Sequence, residues 1–360
     1  MNIISEAKSK VPHFLESLYR GNGFFSYTKE SDMVSQNEKW GLGNAVFAVK
    51  TYSILNEANA LSSQRAGIID FIKSFKAPRG AFSDPALHRR IRLRNKLSAV
   101  KNMNFSNFFG HKTVMAETRQ AIVALILLGD KPERPFTDVP YDFKTVDRYI
   151  KGLNWKNIWG ASSHISHLLF FYKINADLFK YRNDDADKLI RHSIEFINSL
   201  QNEADGTWSV KGASAQQKIN SAMKIITTYI MLGLREIKYA EKIIDYIINA
   251  GEGHYRDGCD NLNAMYSLKY AYDSVGRSYK TKEVNSYCQA SLRRYEKYFF
   301  KGDGGFSRMP DSTGRMYYGM KVTRDFSGPD IHGTMLFTWA VALAADILNL
   351  NNGDFKEVIN

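Results

Sequence analysis

Apolar residues recur along most of the chain at three- and four-residue spacing, as in Ile190, Ile194 and Ile197. That is the period of a helix with one buried face. No stretch of useful length alternates with period two, so the pattern predicts essentially no sheet. Two kinds of helix are distinguishable. One set starts near Trp40, Lys112, Ala161, Gln216, Gly258 and Pro329 and is apolar nearly all round, as in KINSAMKIITTYIMLGL and GTMLFTWAVALAADIL. A helix of that kind is expected inside a core. The second set, near 61–75, 143–153, 185–200, 239–250 and 281–300, is amphipathic and rich in Lys, Arg and Glu, as in DADKLIRHSIEFINSL. The stretch 4–19 supplies a twelfth helix.

Short glycine-bearing segments punctuate these helices: LYRGNGFFSY (18–27), FKAPRGAFSD (75–84), LQNEADGTWS (200–209), NAGEGHYRDG (249–258) and FKGDGGFSRM (300–309), with LNWKNIWGAS (153–162) a poorer copy. Most place an aromatic residue just after the glycine. Recurrence on this scale signals a repeat architecture. The expected fold is all-α: a single (α/α)6-type toroid over residues 1–360, about six helix pairs with an inner and an outer ring. Residues 85–111 are read as a flexible insertion and 302–328 as a flap over the cavity, with Arg315, Tyr317, Tyr318 and Arg324 within reach of a substrate.

Composition narrows the function classes. An aromatic share of 13% with 24% charged residues excludes disorder for most of the chain. The longest uncharged apolar runs, 121–129 and 335–345, are too short to span a bilayer. The N-terminal residues carry charges where a secretory signal has an apolar stretch. Cys259 and Cys288 are the two cysteines, which is no disulfide framework. A cytoplasmic protein is therefore expected. The net charge of +12 favours an anionic partner. The basic segment 88–101 is read as a solvated loop or as contact for a membrane surface or partner subunit. No nucleic acid is expected, because no nucleic-acid-binding motif accompanies it.

Candidate chemistry gathers at the starts of the apolar helices. These contribute Trp40 and Asn44; Glu117, Arg119 and Gln120; His164 and His167; Gln217, Asn220 and Lys224; Asp257, Cys259, Asp260 and Asn263; Asp330 and His332. Several are i,i+3 pairs and share a helix face. Helix N-termini aimed at one cavity favour an anion there. The plainer readings are helix caps for the Asp and Asn residues and hydrogen-bonded core positions for the histidines. Asp257, Cys259 and His332 together form a plausible zinc set with a fourth position left open.

FINSLQNEADGTW (196–208), the DGC at 257–259 and RDF (324–326) followed by His332 carry a resemblance. The whole chain looks like the α/α-toroid superfamily of terpenoid cyclases and protein prenyltransferase β subunits. The first segment resembles the Gln-to-Trp motif of that superfamily, and the others resemble prenyltransferase zinc ligands. The resemblance implies Zn²⁺ on Asp257, Cys259 and His332, activating a substrate thiol, and Mg²⁺ with a diphosphate substrate. It also implies a diphosphate held by Arg119, Lys224 and Arg256, and an apolar tube walled by Trp40, Tyr266, Phe337 and Trp339. Prenyltransferases of this kind work with a helical-repeat partner subunit. The stretch 257–261 also resembles the acid motif of class II terpene cyclases, with Cys259 where those enzymes carry the acidic Asp.

The resulting expectation is an enzyme acting on an isoprenoid diphosphate or similar anionic amphiphile, by prenyl transfer or terpenoid cyclisation. Two alternatives stay open. One is an intracellular glycan-acting toroid enzyme of lyase, epimerase or hydrolase type, serving polysaccharide biosynthesis, with His and Tyr as acid and base. Its candidates are His164, His167, His254, Tyr255, Arg256, Asn220 and Arg119. The other is a non-catalytic toroid that only binds. Catalytic candidates across these readings are Asp257, Cys259, Asp260, His332, His164, His167 and Glu117; substrate-binding candidates are Trp40, Arg119, Asn220, Lys224, Arg256, Tyr266 and Trp339.

Overall fold

The computed structural model describes residues 3–35, 37–90, 111–209, 212–251, 254–324 and 326–358, with His111 described by its backbone alone. Most of the insertion expected over 85–111, including the 91–101 part of the basic segment, lies outside the described residues. The chain is mostly helical. In order the helices are α1 (Ile3–Leu18), α2 (Leu42–Ile54), α3 (Arg65–Ser74), α4 (His111–Leu127), α5 (Phe143–Lys151), α6 (Ile158–Phe179), α7 (Asn183–Ser199), α8 (Ala215–Met231), α9 (Ala240–Asn249), α10 (Gly258–Ser274), α11 (Thr281–Tyr295) and α12 (Ile331–Ile347). Both helix sets expected from the pattern are present. Among the described residues the strands form two hairpins of two-residue strands. One pairs β1 (Phe299–Phe300) with β2 (Gly305–Phe306), the other β3 (Met316–Tyr317) with β4 (Met320–Lys321). No described helix is long and apolar enough to cross a membrane.

Two compact units are distinguished. The first comprises Met1–Glu133, Leu292–Ala345 and Asn351–Val358; the second comprises Arg134–Ser291, Asp346–Leu350 and Ile359–Asn360. In the first unit every residue of α2 is buried, Lys50 included, whereas α3 buries only Ile68 and Ile72. The apolar set is thus the inner one here, and α3 covers it. The starts of α2, α4 and α12 come together. Asp84 accepts from the backbone N–H groups of Gly41 and Leu42 at the head of α2, while its own N–H donates to Glu117 of α4. His332 of α12 stacks on Phe47 of α2.

In the second unit α6 packs on α8 and α8 on α10, with α7 outside α6 and α9 outside α10. The three inner helices run parallel. Ser162 meets Ser221 at 2.6 Å, and further along both helices Ser166 accepts from Thr228. Asn263 of α10 reaches Asn220 of α8 at the same end. Side-chain caps hold these starts: Asn157 accepts from Gly160 N, Ser214 from Gln217 N and Asp257 from Asp260 N. Each cap satisfies one N–H that has no partner inside the helix.

Most of the glycine segments share one structural device. In four of them the chain reverses and pairs antiparallel with its own helix exit: Tyr19 with Phe25, Lys76 with Phe82, Gln201 with Trp208 and Phe299 with Phe306. The four second partners are aromatic and buried. A polar side chain in the early turns of an inner helix then grips each aromatic residue's carbonyl. Asn44 donates to Phe25 O, Thr118 to Phe82 O, Ser221 to Trp208 O and Thr334 to Phe306 O. A buried loop has to place its backbone polar groups somewhere, and these residues are where they go. Gly206 shows why glycine is needed. It has φ +70°, and a Cβ there would lie 2.6 Å from the carbonyl oxygen of Tyr239.

Candidate functional site

The gripped loops deliver specific side chains to the inner helix starts. In FKAPRGAFSD the residue two beyond the gripped Phe82 is Asp84. It is fully buried and accepts from four backbone N–H groups, those of Gly41, Leu42, Ala86 and Leu87. Burial raises its pKa, and those hydrogen bonds pull it partly back. The residue before the gripping Thr118 is Glu117. Its Oε1 accepts from Asp84 N at 3.3 Å and its Oε2 lies 2.7 Å from Nε2 of His88. Glu117 is 3% exposed. Burial raises its carboxyl to about 7; the His88 contact opposes the rise and the Asp84 charge adds to it. His88 is the more open partner, its side chain 21% exposed. The raised Glu117 carboxyl and the His88 ring are thus in direct hydrogen-bond contact.

An aromatic set adjoins this pair. His332 lies flat against Phe47, ring centroids 4.4 Å apart and planes within 3°. Tyr317, from the β3–β4 hairpin, meets Trp40, Phe47 and His332 edge-on at 6.2, 5.8 and 6.1 Å. The phenol occupies the space over Gly43, where a Cβ would lie 2.5 Å from its oxygen. Its pKa is pushed well above the ordinary value by burial, and then by Tyr318, Glu117 and Asp84, so it stays a neutral hydroxyl. His332 is held well below its ordinary pKa by burial, with the Arg308 and Lys50 charges in the same direction. It is a neutral imidazole, and its buried Nδ1 has no hydrogen-bond partner among the described residues. Asp330, fully buried, accepts from the N–H groups of Arg308, Gly314 and Gly333. It thereby ties the 305–324 segment to the head of α12. Within the range read as a flap, Tyr317 is turned inward and buried against Phe47 and His332.

The second unit's helix starts hold a different assembly. Asn220 Oδ1 accepts from Gln216 at 2.9 Å and from Asn263 at 2.7 Å. Its amide in turn bonds Asp260, whose pKa is raised by burial and by the Asp257 charge. Arg256 reaches Asp260 from a more exposed position, Nε to Oδ2 3.6 Å. His164 and His167 share a face of α6, ring centroids 6.4 Å apart. Tyr266 is buried further along α10 against Tyr270.

Of the expected residues, Trp40, Glu117, Arg119, His332 and Trp339 fall in the first unit. His164, His167, Asn220, Lys224, Arg256, Asp257, Cys259, Asp260 and Tyr266 fall in the second. Glu117, His332 and Trp40 are brought together around Tyr317, and Asn220 with Asp260 around the amide network. The zinc set has Asp257 and Cys259 in the second unit and His332 in the first. Among the described residues no group of three His, Cys, Asp or Glu side chains is placed to hold a metal ion. One oxygen of Asp257 is engaged as the cap of α10. Two residues of the first cluster were not anticipated as site residues, Asp84 and His88. The signal for Asp84 was present, since it closes one of the repeated segments. Comparison with protein families, curated proteins and solved structures found no match.

Proposed function

We propose that the Glu117–His88 pair is the acid–base centre of an enzyme acting on an anionic, hydroxyl-rich substrate of the glycan class. The observation that carries this is a buried carboxyl with a pKa of about 7 in direct contact with an imidazole. A group titrating near the working pH is at its best for taking and returning a proton. In this reading Glu117 removes a proton from a substrate C–H or O–H. His88, the more exposed partner, returns one to the departing oxygen. Tyr317 offers a neutral hydroxyl as hydrogen-bond donor, and Arg308 and Lys50 supply the positive field for a carboxylate or phosphate. A carboxyl that titrates this high is a weak acid for protonating an alkene. The pair therefore supports proton transfer between heteroatoms, or next to a carbonyl, over formation of a carbocation.

The isoprenoid reading stands second. Its support is the ring set of Trp40, Phe47 and Tyr317, which suits a cationic intermediate. Zinc on Asp257, Cys259 and His332 belongs to that reading, and metal content by elemental mass spectrometry tests it. In the same proposal the inner helices of the two units, three in each, complete the six pairs of an (α/α)6 ring. Small-angle scattering from the full chain tests closure.

For the chemistry, wild type, Glu117→Gln and His88→Asn are incubated with acidic oligosaccharides and, separately, with geranylgeranyl diphosphate. Products are followed by mass spectrometry. Conversion of an acidic oligosaccharide is expected, falling roughly a hundredfold or more in E117Q. Conversion of the diphosphate alone, unaffected by E117Q, sinks the acid–base reading.

A further inference from the structure

The ribbon that carries Tyr317 inward has an outer face of unusual composition. Nine described large apolar side chains are more than a third exposed, and four of them lie on this one feature: Met33 (40%), Met309 (37%), Met316 (42%) and Tyr318 (43%). Backbone pairing makes them one surface. Met316 sits opposite Lys321 in the hairpin, and Val322 N donates to Arg315 O. Met33 N donates to Val322 O, Arg324 N to Ser31 O, and Asp32 bridges Thr323. Met309 pairs with Ser312 at the other end. The opposite face is closed, with Thr313, Tyr317, Met320, Val322 and Thr323 all buried. The hairpin is therefore two-sided. Its inner side packs on the helix starts, and its outer side presents sulfur and aromatic groups to solvent.

The exposed charges of the ribbon itself are mostly positive, while Glu30 is exposed three residues before Met33. Between 309 and 324 the exposed ionisable side chains are Arg315, Lys321 and Arg324 against the single carboxylate of Asp311. Flexible methionines and a tyrosine interleaved with long cations match a lipid–water boundary. Apolar groups there enter the acyl margin while the cations stay with phosphates. A nucleic acid would use the cations but not three methionines. A protein partner gives no reason for the mostly positive charge.

We propose that the outer face of the 309–324 ribbon, with Met33, docks on an anionic lipid bilayer surface. The inference is independent of the chemistry assigned to Glu117. It places the side of the hairpin opposite Tyr317 at the membrane surface.

The full chain is sedimented with vesicles of phosphatidylglycerol and phosphatidylcholine, and with vesicles of phosphatidylcholine alone. Binding to the anionic vesicles is expected, weakened by salt. Lys321→Glu with Arg324→Glu should weaken it about thirtyfold, and Met316→Ser with Tyr318→Ser about tenfold. Trp159→Ser with Leu234→Ser, two exposed apolar residues of the second unit, should change nothing. Unchanged thermal midpoints guard against misfolding, and Met33→Ser with Met309→Ser serves as a second pair if the first unfolds. Equal binding to neutral vesicles, or binding insensitive to both ribbon pairs, overturns the proposal. So does binding to heparin that the charge reversals abolish while no vesicle is bound, which would mark a general polyanion site.

Discussion

The two units build the same end and fill it differently. In each, three buried helices bring their first turns together, with three gripped glycine loops in the first unit and one in the second. The first unit places ionisable side chains there, Asp84, Glu117 and His88, with neutral His332 and Tyr317 beside them. The second places amides, Gln216, Asn220 and Asn263, which pass hydrogen bonds to one another and on to Asp260. Such a network is held by geometry and changes little with pH, whereas the first cluster changes its proton count near neutrality. One scaffold thus carries an end lined by carboxylates and an imidazole and an end lined by amides, depending on which side chain precedes the gripping residue. Glu117 precedes Thr118, and Asn220 precedes Ser221.

The sharpest way to break this comparison is to remove the first unit's loop anchor. Asp330→Ala leaves three buried N–H groups without their acceptor. A loss of about 3–5 kcal/mol is expected in urea unfolding. Hydrogen exchange should rise first in peptides from 305–324. A loss under 1 kcal/mol would show that the ribbon does not depend on this anchor.

Next in size is the pH response. Glu117 titrates at about 7 in the folded chain, above its ordinary value. Between those two values the native state holds the extra proton, so stability falls as pH rises from the ordinary carboxylate range through 7. The integrated effect is about 3 kcal/mol. Asp84 and Asp330 shift the same way through burial. In the second unit burial also acts to raise Asp205, but Lys218 and Thr207 hold it below its ordinary value, so its contribution is lost on acidification. Exchange measured peptide by peptide from pH 5 to 8 should therefore weaken the first unit as pH rises, and Glu117→Gln should flatten that slope. A slope that survives the substitution would move the titration to another group.

Smaller again is Asn220→Ala, which removes the acceptor for Gln216 and Asn263. About 2 kcal/mol should be lost, with the exchange change confined to α8 and α10. An equal change in α2 and α4 would contradict the independence of the two ends. Smallest are the grips themselves. Thr118→Val and Thr334→Val each leave an aromatic N–H and carbonyl without the hydroxyl partner. About 1 kcal/mol each is expected, by denaturant titration. Similar values for the two would support the grip as one repeated device.

Much of the helical frame was legible because it rests on local pattern. The apolar runs starting near Trp40, Lys112, Ala161, Gln216, Gly258 and Pro329 all became inner helix starts, give or take three residues. The glycine segments were visible as recurrences before their shared bridge was. Asp257 is the instructive case. Sequence admitted a helix cap, a metal ligand and a cyclase-like acid position, and the structure gives it a cap's hydrogen bond. Asp84 closed a segment already seen as a repeat. Its partners at Gly41, Leu42 and Glu117 are more than thirty residues away, however, and no spacing rule reaches that far.

What the amino-acid order determined by itself was which residues prefer helix, which face of each helix must leave water, and where the chain needs glycine to reverse. Those are short-range matters of backbone freedom and apolar spacing. What only the tertiary structure decided was the chemistry. Glu117 is an ordinary glutamate until α2, α4 and the Asp84 loop exclude water from it, and Tyr317 an ordinary phenol until its hairpin folds onto Phe47 and His332. A proton affinity reflects the solvent a group has lost and the charges it has gained, and both come from parts of the chain that meet only when it folds.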